Sequence, residues 1–417
     1  MSYRYKFRGD EANSNVLKIY RMLDRNDAHQ LHYYQPGRWF SNAKDAAVGT
    51  TFDEHVMDGY RFLMRFYRPG DGIYIFGFSR GAYVARMLAE MLDHIGLLEA
   101  GNEGKVRYVW SIFSKWAKCV NIADNDRKAK DDVYTYMKAL RETFCRPVSQ
   151  IRFLGLFDTV NSIPRFELYR NRFLFPFTTK TSAKVIRHAV AIDEHRAKFR
   201  QDLLADVNPN TRSTRRKWQG HRERQDIEEV WFAGFHAAIG GGLSLDKKQD
   251  LALSHVPLVW MVQEAQRVGL RFDPEKMKLF HCFDDSAAND GDECDFKTFL
   301  WKATINGHIH DFLRYGHGVP WPTVLSWKIV EYLPFRRMAL QSDGSWKPIR
   351  WPLPLGERRD LPKRAKVHGS VIRRMEANPK YRPGNLLQYG KGKNKSLRGW
   401  YWCCEKHTTG SCTKPTK

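Results

Sequence analysis

The chain has 417 residues, of which 42% are hydrophobic and 13% aromatic, a composition that excludes an intrinsically disordered protein. Its formal net charge of +23 favours acidic partners, either nucleic acid or an anionic membrane surface. Seven cysteines, an odd number without regular spacing, argue against a disulfide framework and for a reducing interior.

The location expected from the sequence is cytoplasmic. The N-terminal stretch MSYRYKFRGDEANSN has no apolar segment of the kind that a secretory signal requires. No uninterrupted apolar window of about 18 residues predicts a membrane-spanning helix.

Helical and strand patterns alternate along the chain. The predicted helices are residues 13–26, 52–68, 81–98, 105–145, 184–199 and 254–270. The predicted strands are residues 31–37, 73–76, 151–158 and 228–236. Strands separated by helices predict an α/β fold with a mainly parallel sheet. We expect one α/β domain over residues 13–330, a proline-rich extension packed on it over 331–385, and a flexible tail over 386–417.

A GxSxG motif lies in the stretch IYIFGFSRGAY, between a predicted strand and a predicted helix. The motif alone is weak, because glycine and serine are common residues. A nucleophile elbow also needs small neighbours at its strained turn, and Gly77 and Gly81 meet that need. The pattern predicts Ser79 as a nucleophile and the backbone N–H of Arg80, at the helix N-terminus, as an oxyanion donor. The alternative is an ordinary strand-to-helix turn.

A serine nucleophile needs a base, and the base needs an orienting acid. In the α/β-hydrolase arrangement the acid and then the histidine follow the serine, on later strands. Asp158 ends the strand FLGLFD and His236 ends the strand VWFAGFH, so we expect both at the sheet edge of Ser79. Alternatively, Asp158 caps the next segment and His236 packs in the core. Asp193, in HAVAIDEHR, is the second candidate acid, although a surface ion pair with Arg196 on a helix is expected there.

Five motifs occur in a fixed order: GFSRGAYVARMLAEMLDHIGLL, FLGLFDTV, HAVAIDEHRAKF, VWFAGFHAAIGGG and YRPGN. Together they resemble the catalytic domain of the type VI secretion phospholipase effector family, which has many fungal relatives. The resemblance implies an α/β-hydrolase fold and the lipase or phospholipase activity of the characterised bacterial members. The chemistry of such a triad requires no cofactor. Carried over by motif, it implies Ser79 as the nucleophile, Asp158 as the acid and His236 as the base.

Three features depart from that family. Its members usually begin with an apolar strand and a Cys-Asp-Gly-Thr-type turn, and MSYRYKFRGDEAN contains neither. The loop after QPG is shorter than expected, and Ala237-Ala238 stand where Ser-Asp is common. We therefore expect a sheet that lacks its first strand, and a truncated or divergent copy with reduced or no activity is the alternative to an active enzyme. Loss of one oxyanion donor costs about 10²–10³ in rate.

Three functions compete on these grounds. The leading hypothesis is a serine esterase that acts on lipid or phospholipid esters. The second is a catalytically impaired protein that binds anionic lipid surfaces. A nucleic-acid binder ranks last, because the basic stretch 211–224 resembles a solvated loop and no nucleic-acid motif accompanies the charge. The metal-ligand residue types at 403–412 lack the paired spacing of a zinc site, and the alternating ones at 308–311 are as easily a solvated strand or turn. No metal is therefore expected.

Overall fold

The structure is a computed structural model that describes residues 13–37, 50–119, 127–160, 181, 183–204, 225–243, 251–283, 294–334, 337–341, 346–362, 365–387 and 401–403. The helices of these ranges are α1 Asn15–Met22, α2 Thr50–Phe66, α3 Arg80–Ile95, α4 Val106–Cys119, α5 Arg127–Phe144, α6 His236–Gly240, α7 His255–Arg267, α8 Pro274–Leu279, α9 Cys294–Asn306, α10 Trp321–Glu331, α11 Gly369–Ala377 and α12 Gly384–Leu387. The strands are β1 Tyr74–Phe78, β2 Leu97–Leu98, β3 Cys145–Arg146, β4 Phe153–Phe157, β5 Val185–Ala191, β6 Asp226–Phe232, β7 Arg337–Leu340, β8 Trp346–Ile349, β9 Lys366–His368 and β10 Tyr401–Cys403.

The main sheet is parallel throughout the part of the chain that the structure describes. Its strands follow the order β1-β4-β5-β6-β9-β10, and every neighbouring pair runs in the same direction. The pairs β2–β3 and β7–β8 are antiparallel and stand outside that sheet. Parallel neighbours need long crossover connections, and helices α3, α4 and α5 lie in the connection from β1 to β4. The predicted α/β fold with a mainly parallel sheet is confirmed.

Strand β4 shows how the sheet divides the core into two layers. Successive side chains of a strand point to opposite faces. Leu154 and Leu156 pack in the cluster that includes α3, whereas Phe153 and Phe157 pack in the cluster that includes α7. All four side chains are buried. Helices therefore cover both faces of the strand, which explains its continuous apolar run.

The carboxyl ends of β1 and β4 lie level with one another, and the neighbouring strand β5 continues beyond them to Ala191. Phe78 of β1 pairs with Phe157 of β4, and Phe157 pairs with Ala189 of β5. The residue after each of the first two strands therefore emerges at the same sheet edge. Side chains at this edge of a parallel sheet form the usual binding site of open α/β folds.

Most predicted helices are confirmed, with small shifts of their ends. Helix α1 begins after Ser14, whose hydroxyl accepts a hydrogen bond from the Leu17 N–H at 3.4 Å, as expected for an N-cap. Helix α3 ends before Gly96, which adopts φ +80°. Such a φ favours glycine, which explains the stop. The predicted helical stretch 105–145 is two helices, α4 and α5.

The predicted helix over residues 184–199 is wrong, because its first half is strand β5. β5 lies between β4 and β6 and is buried along its whole length. Its two basic residues have partners around the sheet. Arg187 donates to Glu264 at 2.5 Å, and His188 Nδ1 lies 2.9 Å from the carboxylate of Glu229. Paired charges can occupy a central strand, so the helical pattern was misleading.

The predicted strand over residues 31–37 is also wrong, because this segment adopts no regular secondary structure. Aromatic contacts hold it instead. Tyr33 stacks on Phe62 of α2 with ring centroids 5.0 Å apart, and Tyr34 packs against Tyr20 of α1 at 5.2 Å. The adjacent Tyr33 and Tyr34 therefore pack against two different helices, and the segment has no place in a sheet.

The predicted domain boundaries stay predictions. The extension expected over residues 331–385 includes β9, which pairs with β6 in the main sheet. Within the expected tail, the described strand β10 pairs with β9. The expected absence of a first strand rests on residues 1–13, of which 1–12 lie outside the described residues. The basic stretch 211–224 lies outside them as well.

Candidate active site

Ser79 lies on the sharp turn between β1 and α3. Its backbone adopts φ 60° and ψ −124°, a strained conformation for a residue with a side chain. The Ser79 N–H donates to the Phe157 carbonyl at 2.9 Å, and its own carbonyl accepts from the Ala82 N–H at 3.1 Å. Hydrogen bonds to β4 and to the first turn of α3 thus hold the strained turn. This is the geometry expected of a nucleophile elbow.

The two glycines of the motif differ in how closely other atoms surround them. A Cβ atom on Gly77 would lie 2.4 Å from the Gly81 carbonyl oxygen and 2.5 Å from the Ala82 Cα. Because these are backbone atoms that cannot move aside, only glycine fits at position 77. A Cβ atom on Gly81 would meet nothing within 4 Å. Gly77 is therefore needed for the close approach of strand and helix, and Gly81 is not.

Ser79, His236 and Asp158 are joined by hydrogen bonds. The Ser79 Oγ lies 2.8 Å from His236 Nε2, and His236 Nδ1 lies 2.6 Å from Asp158 Oδ2. Asp158 directly follows β4. The prediction that His236 ends a strand is wrong, because β6 ends at Phe232 and His236 begins α6 four residues later. Three separate segments thus bring a hydroxyl, an imidazole and a carboxylate into one line at the sheet edge.

The His236 ring is buried between two aromatic rings. Phe78 and Phe199 each have their ring centroid 4.7 Å from that of the imidazole. Burial lowers the pKa of His236 below its ordinary value, because it disfavours the charged imidazolium more than Asp158 favours it. The neutral imidazole, which can accept a proton, is therefore favoured.

Asp158 is held by a residue that the sequence did not suggest. Arg359 donates from Nη1 to Asp158 Oδ1 at 2.6 Å and from Nη2 to Oδ2 at 2.9 Å, and both side chains are fully buried. Burial alone would raise the pKa of Asp158, but Arg359 and His236 together hold it well below the usual range. The carboxylate is therefore ionised beneath the histidine. Arg359 occurs in an ordinary charged stretch, GERRD, and no local pattern distinguishes it.

Glu194 is a second residue that sequence reasoning missed. Its Oε2 accepts a hydrogen bond from the backbone N–H of His236 at 3.1 Å. Its carboxylate also binds Arg196, through Nε at 2.9 Å and Nη2 at 2.7 Å. Burial opposes ionisation of Glu194, yet Arg196 lowers its pKa to about 2. This ion pair fixes the backbone that carries the histidine.

Asp193, the second candidate acid, does not contact His236. Its carboxylate accepts hydrogen bonds from the Gly234 N–H at 2.7 Å and from the Tyr381 hydroxyl at 2.8 Å. The expected ion pair between Asp193 and Arg196 is wrong, because Arg196 binds Glu194. The helix on which that pair was predicted is absent at these positions.

A cavity of about 900 Å³ has Ser79, Arg80 and His236 in its lining. Most of the lining is apolar and aromatic, including Phe52, Phe62, Leu63, Ile75, Val84, Leu88, Phe199, Phe312 and Trp327. Arg80, Arg196 and Lys198 are its charged members, and the described lining residues include no carboxylate. Arg80 begins α3, so its backbone N–H lies at the positive end of that helix. The cavity can hold an apolar chain beside the hydroxyl of Ser79.

The segments considered for a metal provide no site in the described residues. His308 and His310 pack ring against ring at 4.6 Å, and Asp311 binds His195 at 3.0 Å. No three His, Cys, Asp or Glu side chains of the described ranges are grouped as metal ligands. Residues 404–412 lie outside these ranges. In the same ranges, no helix has both the length and the apolar character to cross a membrane.

Two individual proteins are similar to this chain. In Saccharomyces cerevisiae, the uncharacterized protein YEL023C is 26% identical, over 94% of this chain and 80% of that protein. A solved structure, the crystal structure of an uncharacterized protein from Pseudomonas aeruginosa, is 20% identical with a TM-score of 0.28. That match covers 63% of this chain and 34% of the other, so this chain spans about a third of its length.

A family model also matches the part of the chain that carries Ser79, Asp158 and His236. It is the model described as T6SS, Phospholipase effector Tle1-like, catalytic domain, and it matches residues 4–264. The domain is a phospholipase catalytic domain, which agrees with a hydrolase of the lipase or phospholipase kind. This chain belongs to the T6SS Tle1-like phospholipase effector family.

Proposed function

We propose that this protein is a serine hydrolase that cleaves carboxylic esters of lipids or phospholipids. Ser79 is the nucleophile, His236 the general base and Asp158 the residue that orients the imidazole. The observation that carries the proposal is the pair of hydrogen bonds from Ser79 Oγ to His236 Nε2 and from His236 Nδ1 to Asp158 Oδ2, at 2.8 Å and 2.6 Å. The apolar cavity beside Ser79 supports a lipid substrate.

The chemistry proceeds in two halves. The Ser79 Oγ attacks the ester carbonyl carbon while His236 Nε2 takes the hydroxyl proton, and a tetrahedral intermediate forms. Its oxyanion lies at the N-terminus of α3, where the backbone N–H of Arg80 can donate. His236 then gives its proton to the departing alcohol, which leaves an acyl-enzyme on Ser79. Water, deprotonated by His236, hydrolyses that ester and restores the hydroxyl.

The electrostatics of the site suit these roles. The lowered pKa of His236 favours the neutral base at neutral pH. The lowered pKa of Asp158 keeps its carboxylate charged, so it accepts the Nδ1–H and stabilises the imidazolium that forms. Arg359 and Glu194 act through these two residues as positioning residues.

A fluorophosphonate probe tests the proposal directly, because it reacts only with an activated serine. We expect the wild type to be labelled and Ser79→Ala to be unlabelled. Ser111→Ala is the control, since Ser111 is exposed on α4 and its hydroxyl donates to the carbonyl of Tyr108 on the same helix. It should label as the wild type does. Mass spectrometry of the labelled peptide should place the adduct on residues 73–83.

Two outcomes would change the proposed function. Equal labelling of Ser79→Ala and wild type would remove Ser79 as the nucleophile. A folded wild type that is neither labelled nor active on short and long acyl esters, yet floats with anionic liposomes, would favour the non-catalytic lipid-binding alternative.

A further inference from the structure

Helix α10 is apolar in composition yet largely exposed on one face. Its sequence, WPTVLSWKIVE, contains only Lys328 and Glu331 as charged residues. Trp321, Leu325 and Ile329 recur every four residues and are 67%, 42% and 62% exposed. Residues at this spacing share one helical face. A helix that is apolar on every side is normally buried, so this exposed stripe is unusual.

The other faces of α10 belong to the core and to the active-site cavity. Val324 and Glu331 are buried, whereas Thr323, Trp327 and Val330 line the cavity that contains Ser79 and His236. The exposed stripe and the cavity wall therefore lie on adjacent faces of the same helix. Whatever covers the stripe meets the rim of the cavity.

Polar and aromatic contacts hold α10 against the candidate active site. The Glu331 carboxylate accepts hydrogen bonds from the Ala197 N–H at 2.7 Å and the Gly356 N–H at 3.0 Å. The Trp327 ring packs on Phe199 with centroids 5.5 Å apart, and Phe199 packs on the His236 ring. The stripe is thus carried by a helix that is fixed to the site, not by a separate arm.

Other exposed apolar side chains lie close to this helix, either through a contact or through their position in the chain. Lys328 lies 4.5 Å over the ring of Tyr315, which is 49% exposed. Leu355, 59% exposed, precedes the Gly356 that binds Glu331. Tyr332 follows the helix and is 66% exposed. We call this set the α10 surface: Tyr315, Trp321, Leu325, Ile329, Tyr332 and Leu355.

The chemistry of the α10 surface fits a lipid bilayer. Trp and Tyr rings next to Leu and Ile, with Lys328 alongside, are the combination that lies at a membrane interface. The chain carries a formal net charge of +23, and the charged side chains that line the adjacent cavity are all cationic. A surface of anionic headgroups complements both features.

We propose that the α10 surface docks on an anionic lipid bilayer and so presents the cavity rim to membrane lipids. The inference rests on the proposed function for the hydrolysis of those lipids, but the docking itself is independent of catalysis. A bilayer on the α10 surface would supply acyl esters directly to the rim formed by Pro322 and Ser326, which are exposed and also line the cavity.

Vesicle co-sedimentation with the full chain tests the proposal. The vesicles are phosphatidylcholine alone or phosphatidylcholine with phosphatidylserine. We expect the double variant Trp321→Gln/Ile329→Gln to bind the anionic vesicles about tenfold or more weakly than the wild type, because two large apolar side chains no longer enter the lipid. The matched control is Trp301→Gln/Leu279→Gln, whose side chains are 52% and 65% exposed on α9 and α8. It should bind as the wild type does.

Further measurements separate the docking from folding and from catalysis. Unchanged thermal unfolding and unchanged turnover of a water-soluble short-chain ester show that the double variant is intact. Ser79→Ala should keep vesicle binding while losing turnover. Vesicle binding therefore tests the docking even if the proposed chemistry is wrong. Docking is contradicted if the wild type does not bind anionic vesicles better than neutral ones, or if the double variant and the control behave alike. A wild-type dimer that the double variant converts to monomer, without vesicle binding, would assign the surface to self-association instead.

Discussion

Arg359 donates two hydrogen bonds to the Asp158 carboxylate, and the pair is completely buried. An ionised carboxylate without a partner is unstable in such surroundings. The guanidinium therefore permits a charged Asp158 beneath His236. Arg359 also donates to the carbonyls of Ala191 and Phe199, which ties β5 and the Phe199 turn to the same group. Since Arg359 lies beyond the matched residues 4–264, the C-terminal part of the chain contributes to the candidate active site.

Arg359 should be needed for both stability and turnover. Arg359→Gln leaves the Asp158 carboxylate buried without its ion partner, so we expect the free energy of unfolding to fall by about 3–5 kcal/mol. Arg359→Lys keeps the charge but cannot form the two parallel hydrogen bonds. Its stability and turnover should therefore lie between those of the wild type and Arg359→Gln. Denaturant unfolding and the kcat/KM of a short-chain ester measure these effects. A glutamine variant equal to the wild type in both would contradict the role.

The pH dependence of kcat/KM should follow the ionisation of His236. The base works only when neutral, so activity rises with pH through the pKa of the free enzyme. Burial lowers that pKa. The acid limb of the kcat/KM profile, where activity rises with pH, therefore lies below the ordinary histidine pKa of about 6.5. Arg359 adds to the lowering, while Asp158 and Glu194 oppose it. Arg359→Gln should therefore move the limb to higher pH, and Arg359→Lys should leave it near the wild-type position. A limb that does not move in Arg359→Gln would count against this account.

Two aspartates provide a matched test of the acid. Asp158→Asn removes the charge that orients and stabilises His236, so kcat should fall by about 10⁴ if the site behaves as other serine triads do. Asp193→Asn changes a carboxylate that binds Gly234 and Tyr381, away from His236, and should lower kcat far less than Asp158→Asn does. Steady-state kinetics on variants with verified thermal unfolding separates the two. The reverse order of effects would make Asp193 the acid.

The two glycines of the elbow should respond differently to alanine. Gly77→Ala forces a Cβ atom against backbone atoms of Gly81 and Ala82, so it should destabilise the protein by about 1–3 kcal/mol or more, or prevent folding. Gly81→Ala meets open space and should change stability by less than about 0.5 kcal/mol. Thermal unfolding of both variants measures the difference. Equal stability of the two variants would show that β1 and α3 can move apart at position 77 with little loss of stability.

Filling the cavity should select against long acyl chains. Val84 is partly buried on α3 and lines the same cavity as Ser79. Val84→Trp should lower kcat/KM for a long-chain ester by about tenfold or more, because the added ring occupies space meant for the chain. The same variant should hydrolyse an acetyl or butyryl ester nearly as well as the wild type. If kcat/KM falls equally for the long-chain and the short-chain ester, the cavity does not bind the acyl chain.

Local patterns in the chain were sufficient for much of the fold. The periodicity of residues 81–98 predicted α3, and the apolar runs before Gly77 and Asp158 predicted β1 and β4. These elements are governed by neighbours in sequence: an apolar stripe with a glycine stop, or an apolar run before a turn residue. The order of the strands also indicated why Ser79, Asp158 and His236 would lie at one edge, since parallel strands end together.

Local sequence pattern predicted secondary structure poorly where residues distant in the chain determine it. The VIRHAVA stretch forms β5 because β4 and β6 flank it and because Glu264 and Glu229 satisfy its two basic residues. Those carboxylates lie 77 and 41 positions away from Arg187 and His188. Buried charge depends on partners that are distant in sequence, so no local pattern reveals it.

The sequence motifs were sufficient to predict Ser79, His236 and Asp158 as site residues. Strained turns and strand ends need particular residue types at fixed spacings, and these are visible in the sequence. Arg359, 201 positions from Asp158, and Glu194, 42 positions from His236, could be assigned only by tertiary contact. The same holds for α10, whose apolar composition is typical of a buried helix. Burial is a property of the assembled surface, and three different environments around one helix cannot be read from its eleven residues.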